Sequence, residues 1–298
     1  MLRRSFSLIF SALVLLAYSG CERGQVPAGG AGADHVDHLA LEHAADAPVP
    51  GFASRADGVD LTTARVVYGQ DEDGQEHVGY LARPALDGGV RPAEPAERPA
   101  VIVIHEWWGL NNNIRDMTRL LASEGYTALA VDLYGVDVPA QTPEDAQRLM
   151  GEAMERQPAL EGNLRQAYDF LVQQENASGV AVIGWCFGGM WALRTAIMLG
   201  GDLDAAVVYY GQLERDRARL AQIEAPVLGI FGAEDSSIPL SDVRELEDTL
   251  DDLGKDVEVH IYEGAGHAFA NPSGRRYEAE AAEDAWERTR AFLSRHLD

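Results

Sequence analysis

The distribution of apolar and polar residues divides most of the chain into short apolar runs that alternate with longer amphipathic segments. An apolar run of four to eight residues between turn signals is typical of a strand buried on both faces. Such runs predict strands at residues 100–105, 127–131, 180–183, 205–210 and 227–231, and residues 257–262 are predicted as the last strand. Amphipathic spacing predicts helices from Asn111 or Asn113 to about 123 and at residues 143–155, 160–174, 190–198, 240–253 and 277–297, with a short polar helical segment after 210.

Strands that alternate with helices predict an α/β fold, in which a mainly parallel central sheet has helices on both faces. Ahead of this pattern, residues 64–68 and 77–82 flank a turn signal at 71–74 and predict an antiparallel hairpin. The sequence has no internal repeat, and 46% of its 298 residues are hydrophobic. We therefore expect a single folded domain over residues 55–298.

The first twenty residues have the organisation of a secretory signal peptide. Two arginines precede an uncharged apolar stretch at residues 6–18, which is too short for a comfortable membrane span of about 20 residues. The stretch ends in Ser19-Gly20-Cys21, which resembles a bacterial lipobox. We favour lipidation of Cys21, and hence a periplasmic or cell-envelope protein whose membrane contact is this anchor. The alternative is cleavage nearby, with Cys21 incidental.

Residues 21–54 are rich in Gly, Ala, Pro and acidic residues and show no apolar periodicity. This composition predicts a flexible tether. His35, His38 and His43 lie beside acidic residues within it, and a weak metal site is one interpretation. A solvated linker is the preferred one, since zinc ligands usually come from ordered structure. No metal and no cofactor are expected.

The chain is strongly acidic, with a formal charge of -24. Removal of residues 1–20, which contain Arg3 and Arg4 and no acidic residue, would bring it to -26. Such a charge repels nucleic acid and anionic membrane surfaces. It also disfavours polyanionic substrates, so the expected partner is a small molecule.

The strand at 180–183 runs into Gly184-Trp185-Cys186-Phe187-Gly188-Gly189, and a predicted helix follows. A strand, a tight glycine turn and a helix form a nucleophile elbow, usually G-x-S-x-G, with Cys186 in the reactive position. The alternative is a buried structural cysteine. The only other cysteine is Cys21. Its lipidation would leave Cys186 as the single thiol of an exported protein, which favours a reactive role over a disulfide.

Four predicted strands are followed by a chemically capable residue: Glu106, Cys186, Asp235 and His267. Ligands of open α/β sheets bind beyond the carboxyl ends of the strands. The order Cys, Asp, His matches the Ser, Asp/Glu, His order of α/β-hydrolases. The sequence therefore predicts a catalytic triad. Asp235 as a helix cap and His267 as a turn residue packed under the last helix are the alternatives.

These motifs together resemble the dienelactone hydrolase family of α/β-hydrolases. The resemblance is carried by His105-Glu106-Trp107-Trp108-Gly109-Leu110-Asn111, Asp132-Leu133-Tyr134, the elbow, Gly232-x-x-Asp235 and Gly266-His267-Ala268-Phe269. It implies the α/β-hydrolase fold and a triad of Cys186, Asp235 and His267. It also implies that Glu106 contacts the resting cysteine.

The expected reaction is hydrolysis of a carboxylic ester or lactone. Cys186 would attack the carbonyl as a thiolate, His267 would transfer the proton, and Asp235 would orient the imidazole. The backbone N–H groups of Trp107 and Phe187 would hold the oxyanion, and water would hydrolyse the thioester. A non-catalytic envelope protein that binds a ligand or partner is the alternative function; a redox-sensing thiol is disfavoured because no second cysteine lies nearby.

The substrate pocket departs from the family pattern. Dienelactone-cleaving members bind the substrate carboxylate with two arginines, at positions that correspond here to Val136 or Asp137 and to Asn271. Arg275 and Arg276 could substitute or could lie on the solvated surface. The expected pocket residues are Trp108, Trp185, Tyr134, Phe269 and Asn271, with Trp107 beside them. An aromatic pocket suits a neutral ester or lactone; packing beneath the sheet edge is the alternative for these aromatic side chains.

Overall fold

The computed structural model describes residues 59–85, 96–135 and 138–297. The predictions for the signal peptide, for Cys21 and for the tether therefore lie outside the described residues. No described helix is long and apolar enough to cross a membrane.

The described chain forms one sheet of eight strands, which are β1 (Leu61–Gln70), β2 (Glu76–Pro84), β3 (Arg98–Ile104), β4 (Thr127–Val131), β5 (Ala177–Trp185), β6 (Ala205–Tyr209), β7 (Val227–Gly232) and β8 (Val257–Tyr262). Their order in the sheet is β1-β2-β4-β3-β5-β6-β7-β8. The six strands from β4 to β8 in this order are parallel, while β2 is antiparallel to both of its neighbours.

Helices connect the parallel strands and cover the sheet. They are α1 (Asn112–Ser123), α2 (Pro143–Glu155), α3 (Gln157–Gln174), α4 (Phe187–Leu199), α5 (Arg217–Leu220), α6 (Leu240–Asp252) and α7 (Ala279–Leu297). Helix α3 packs against α4, and α7 is linked to the end of α1 by an ion pair between Arg290 and Glu124, 2.9 Å apart. The apolar segments of β3 to β7 are consequently buried on both faces, which is why they read as continuous apolar runs.

The structure confirms the predicted α/β architecture and adjusts several boundaries. Helix α3 begins at Gln157 rather than 160 because Pro158 lies in its first turn, where no backbone N–H is needed. Strand β3 begins at Arg98, which aligns with Ala177 of β5. Strand β6 ends at Tyr209 because the next residue, Tyr210, has a φ of 36° and leaves the extended conformation.

The sheet register brings distant parts of the chain to one edge. Ile104 lies opposite Gly184, Trp185 lies opposite Tyr209, and Phe231 lies opposite Ile261. Since these strands are parallel, the loops that follow β3, β5, β6, β7 and β8 emerge at the same edge of the sheet. This edge carries the candidate site.

Candidate active site

Cys186 lies between the last residue of β5 and the first residue of α4. Its φ of 56° and ψ of -116° are strained for a residue with a side chain. The backbone N–H of Cys186 donates a hydrogen bond to the carbonyl oxygen of Tyr209, 3.0 Å away. The turn is therefore anchored to β6, as a nucleophile elbow requires.

Two glycines allow this turn to form. A Cβ on Gly184 would lie 2.1 Å from the carbonyl oxygen of Gly188. A Cβ on Gly188 would lie 2.3 Å from the carbonyl oxygen of Ile104. Both contacts are with backbone atoms, which cannot rotate away. The elbow turns so tightly on itself at Gly184, and packs so closely against β3 at Gly188, that neither position accepts a larger residue.

His267 and Asp235 come together from the loops after β8 and β7. Nδ1 of His267 lies 2.8 Å from Oδ2 of Asp235, and both side chains are buried. The other oxygen of Asp235, Oδ1, accepts hydrogen bonds from the backbone N–H groups of Ser237 and Ile238. Asp235 therefore fixes its own loop and binds His267; it does not cap the next helix, α6, whose N-cap is Pro239.

The electrostatics of His267 favour its protonated form. Burial alone lowers the pKa of this imidazole, but the charges of Asp235 and Cys186 and its hydrogen bonds to both raise it well above the ordinary value of 6.5. The ring thus lies between two groups that are negative when ionised. Such a position suits an imidazole that exchanges a proton with a thiol.

Glu106 is buried at the same edge, two residues beyond β3. The side-chain amide of Asn271 donates a hydrogen bond to Oε2 of Glu106 over 2.5 Å. Asn271 itself is buried and lies four residues after His267. The position at which the family resemblance implies an arginine therefore holds a neutral amide that binds Glu106.

A buried histidine fixes the loop that carries Glu106. The backbone N–H of Leu133 donates to Nε2 of His105, so the proton of this ring lies on Nδ1, which donates to the carbonyl oxygen of Glu106 over 2.6 Å. Burial lowers the pKa of His105 below its ordinary value. His105 is accordingly a neutral structural group.

The candidate oxyanion donors are the backbone N–H groups of Trp107, in the loop after β3, and of Phe187, at the start of α4. The carbonyl oxygen of Trp107 accepts a hydrogen bond from the Tyr134 hydroxyl over 2.9 Å, which holds that peptide in place. Phe187 is the first residue of α4, where a backbone N–H has no intrahelical acceptor. Both residues are wholly buried.

The three remaining aromatic residues of the predicted pocket lie in different surroundings. The Trp108 ring packs edge-on against the Trp107 ring, with ring centroids 5.0 Å apart. Trp185 instead lines a small apolar cavity of about 40 Å³ between α1, α7 and the loop after His267. Phe269 is fully buried against Tyr210 and Tyr262, in the packing arrangement that the sequence left as an alternative.

The two arginines that the sequence offers for the pocket differ in their exposure to solvent. Arg275 is exposed and Arg276 is half-buried, while Val136 and Asp137 lie outside the described residues.

Across the parts of the chain that the structure describes, no group of three or more His, Cys, Asp and Glu residues could hold a metal ion.

The structure adds Tyr210 to this site. Its ring lies edge-on to the ring of His267, with centroids 5.2 Å apart. From the sequence, Tyr210 is predicted only as the end of a strand. The rule that singles out Glu106, a polar side chain directly after a buried strand, was the signal that could have found it.

Comparisons with known proteins identify relatives over most of the chain. A model of the dienelactone hydrolase family matches residues 88–297. A protein of Saccharolobus solfataricus that carries the provisional name carboxymethylenebutenolidase is 34% identical over 263 residues, which cover 76% of this chain and 96% of that protein.

Two solved structures are similar over most of the chain. A provisionally named dienelactone hydrolase from Klebsiella pneumoniae aligns with a TM-score of 0.67 at 27% identity and covers 79% of this chain and 99% of its own. A dienelactone hydrolase-like promiscuous phosphotriesterase from metagenomic libraries aligns with a TM-score of 0.69 at 25% identity and covers 81% of this chain and 100% of its own. These relatives do not favour a non-catalytic binding protein. The chain belongs to the dienelactone hydrolase family and is a dienelactone hydrolase-like enzyme with the α/β-hydrolase fold.

Proposed function

We propose that the enzyme hydrolyses small, uncharged carboxylic esters or lactones through a thioester on Cys186. The observation that carries this proposal is the 2.8 Å contact between His267 Nδ1 and Asp235 Oδ2, beside a cysteine held on a strained elbow. Cys186 is one of the two groups whose charge raises the pKa of His267, which supports a thiolate–imidazolium pair.

The chemistry proceeds in two halves. The Cys186 thiolate attacks the carbonyl carbon, and the negative charge on the carbonyl oxygen is held by the backbone N–H groups of Trp107 and Phe187. The C–O bond then breaks as His267 gives its proton to the departing oxygen. In the second half His267 takes a proton from water, which attacks the thioester, and the Cys186 thiolate leaves.

Glu106 completes the proposed catalytic set as the contact of the resting cysteine, the role that the family resemblance implies for it. The hydrogen bond from Asn271 holds one of its carboxylate oxygens. Because this bond is made by a neutral amide, the position offers no cation to a substrate carboxylate. Together with the net charge of -24, this supports an uncharged substrate, held near Trp108 and Tyr134.

The same proposal includes export. Residues 1–20 have the charged and apolar regions of a signal peptide, and Ser19-Gly20-Cys21 supports lipidation of Cys21. The hydrolase domain, residues 55–298, would then be held at the cell envelope by a tether of residues 21–54. The substrate would be met outside the cytoplasm.

Substitution of each cysteine tests the mechanism and the anchor. We expect Cys186→Ala to lose turnover of p-nitrophenyl acetate by at least about 10³-fold, because the nucleophile is removed. Intact mass spectrometry should detect an acetylated wild-type enzyme and no acetylated variant. Cys21→Ala is the matched control: activity should persist, while the protein moves from the membrane fraction to the soluble fraction. Wild-type turnover by a folded Cys186→Ala enzyme would refute the proposed function.

A further inference from the structure

Tyr210 has a buried hydroxyl with no hydrogen-bond partner among the described residues. Other buried tyrosines of the domain are satisfied. The Tyr68 hydroxyl donates to Oδ1 of Asn163 over 2.8 Å, and the Tyr134 hydroxyl donates to the Trp107 carbonyl oxygen. A buried donor without an acceptor costs folding free energy, and native proteins retain few of them. Buried polar atoms of Asn113 and Trp191 also lack a partner among the described residues, and what distinguishes Tyr210 is its place beside His267.

The backbone of Tyr210 carries a second cost at the same place. Its φ of 36° is unfavourable for a residue with a side chain. The conformation is held by a hydrogen bond from the Tyr210 N–H to the Ile230 carbonyl oxygen, 2.8 Å away. Strain of this kind is concentrated at functional sites. Tyr210 thus combines a buried hydroxyl that has no hydrogen-bond partner among the described residues with a strained backbone.

Tyr210 lies beside the base and next in the chain to a residue that binds the elbow. Its chain neighbour Tyr209 accepts the hydrogen bond from the Cys186 N–H, so the end of β6 is fixed to the elbow. The Tyr210 ring meets the His267 ring edge-on at 5.2 Å. The side chain therefore lies at the proposed reaction centre rather than in the distant core.

The charges around Tyr210 define what its hydroxyl can do. Burial raises its pKa well above the ordinary value of 10.0, and the charges of Glu106 and Cys186 raise it further. A phenol in this environment keeps its proton. It can donate a hydrogen bond to an oxygen that becomes negative, but it is unsuited to act as a base or a nucleophile.

We propose that Tyr210 is a further catalytic residue, whose hydroxyl donates a hydrogen bond to the leaving-group oxygen of the ester or lactone. The inference rests on the proposed function. When the C–O bond of the tetrahedral intermediate breaks, the bonding electron pair moves to the departing oxygen, and that oxygen receives the proton of His267. Tyr210 keeps its own proton and stabilises the charge while the transfer is incomplete. The assignment to this oxygen follows from the contact with His267, its proton donor, since the carbonyl oxygen faces the backbone donors.

Tyr210→Phe tests this role with two esters that share an acetyl group. Ethoxide is a poor leaving group and needs stabilisation, whereas p-nitrophenolate needs little. We expect kcat/KM for ethyl acetate to fall at least about tenfold, a loss of about 1.4 kcal/mol of transition-state stabilisation. We expect kcat/KM for p-nitrophenyl acetate to fall less than about threefold. Ethyl acetate is followed by pH-stat and p-nitrophenyl acetate by absorbance.

Tyr68→Phe is the matched control, because it removes a buried hydroxyl that has a partner. We expect a lower Tm and unchanged kcat/KM with both esters. Tyr210→Phe should instead keep or raise the Tm, since the hydroxyl it removes is unsatisfied in the folded enzyme. Loss of activity without loss of stability separates a catalytic hydroxyl from a structural one.

Two results would overturn the inference: equal losses with both esters, or no loss with either. The Cys186→Ala enzyme distinguishes its failure from that of the proposed function. If Cys186→Ala is inactive while Tyr210→Phe behaves as wild type, only the role of Tyr210 fails. If Cys186→Ala is active, the thioester mechanism itself fails.

Discussion

At the scale of single residues, the site depends on how each side chain divides its hydrogen bonds. Oδ1 of Asp235 accepts hydrogen bonds from two backbone N–H groups of its own loop, and Oδ2 binds His267. The backbone contacts fix the carboxylate, so the imidazole meets an acceptor whose position is already set. This arrangement favours one tautomer of His267, with a proton on Nδ1 and Nε2 facing its reaction partner.

The raised pKa of His267 predicts a pH-dependent stability. A group whose folded-state pKa exceeds its unfolded value stabilises the fold fully below the unfolded value, here about 6.5, and this contribution is lost as the pH rises through the folded pKa. Asp235→Asn removes the charge that contributes most to the rise. We therefore expect the Tm advantage of wild type over Asp235→Asn to be largest at and below about pH 6 and to shrink as the pH rises through the raised pKa of His267.

Thermal unfolding of both proteins across this pH range checks the sign. NMR titration of the His267 ring should show a lower pKa in the variant. A Tm advantage that grows with pH would contradict the assignment of a charged imidazolium to the folded enzyme.

At the scale of elements, the contact between the elbow and β3 explains why glycine occupies the turn. Gly188→Ala would place a Cβ 2.3 Å from the Ile104 carbonyl oxygen, inside the sheet. We expect a loss of about 3 kcal/mol or more in the free energy of unfolding, because two buried elements must separate. Urea unfolding provides the measurement.

Gly151→Ala is the matched control for that substitution. Gly151 lies within α2, and a Cβ there would meet no atom within 4 Å. Alanine restricts the unfolded chain and is a better helix former, so we expect a gain of about 0.5–1 kcal/mol. Similar losses at both positions would show that the close packing of the elbow is not the cause.

The bounds of a strand could be predicted from the sequence where one signal, such as an unbroken apolar run, determines them. Strand β4 is buried along its whole length, and its apolar run gives the bounds Thr127–Val131 directly. The sequence singles out Cys186, Asp235 and His267 because each follows a predicted strand. The contact of Asn271 with Glu106 joins residues 165 positions apart and depends on the rotamers of two side chains. The orphan hydroxyl of Tyr210 is likewise defined by what surrounds it in space, which no local pattern records.

At the scale of the whole molecule, negatively charged side chains outnumber positively charged ones. The chain has 48 acidic residues and 24 lysines and arginines, so one-to-one ion pairs can neutralise at most half of the acidic residues. The excess negative charge repels itself most strongly in the compact state. We expect the Tm to rise as NaCl is added from about 0.01 M to about 0.2 M and then to level off, because the Debye length shortens from about 30 Å to below 10 Å.

Differential scanning calorimetry over this salt series provides the check. Sucrose is the control, since an uncharged osmolyte stabilises compact states gradually and without screening. A Tm that stays constant or falls below about 0.2 M NaCl would show that self-repulsion is not a significant cost for this fold.

The assembly of the site from the ends of β3, β5, β7 and β8 has a consequence for biosynthesis. The ribosome releases Cys186 well before His267, and domains generally form as units once their sequence has emerged. During that interval the nascent polypeptide contains a thiol without its acid–base partner. Under the proposed mechanism, a message truncated between these two codons directs the synthesis of an inert product, and hydrolysis begins only once the loop after β8 has joined the site.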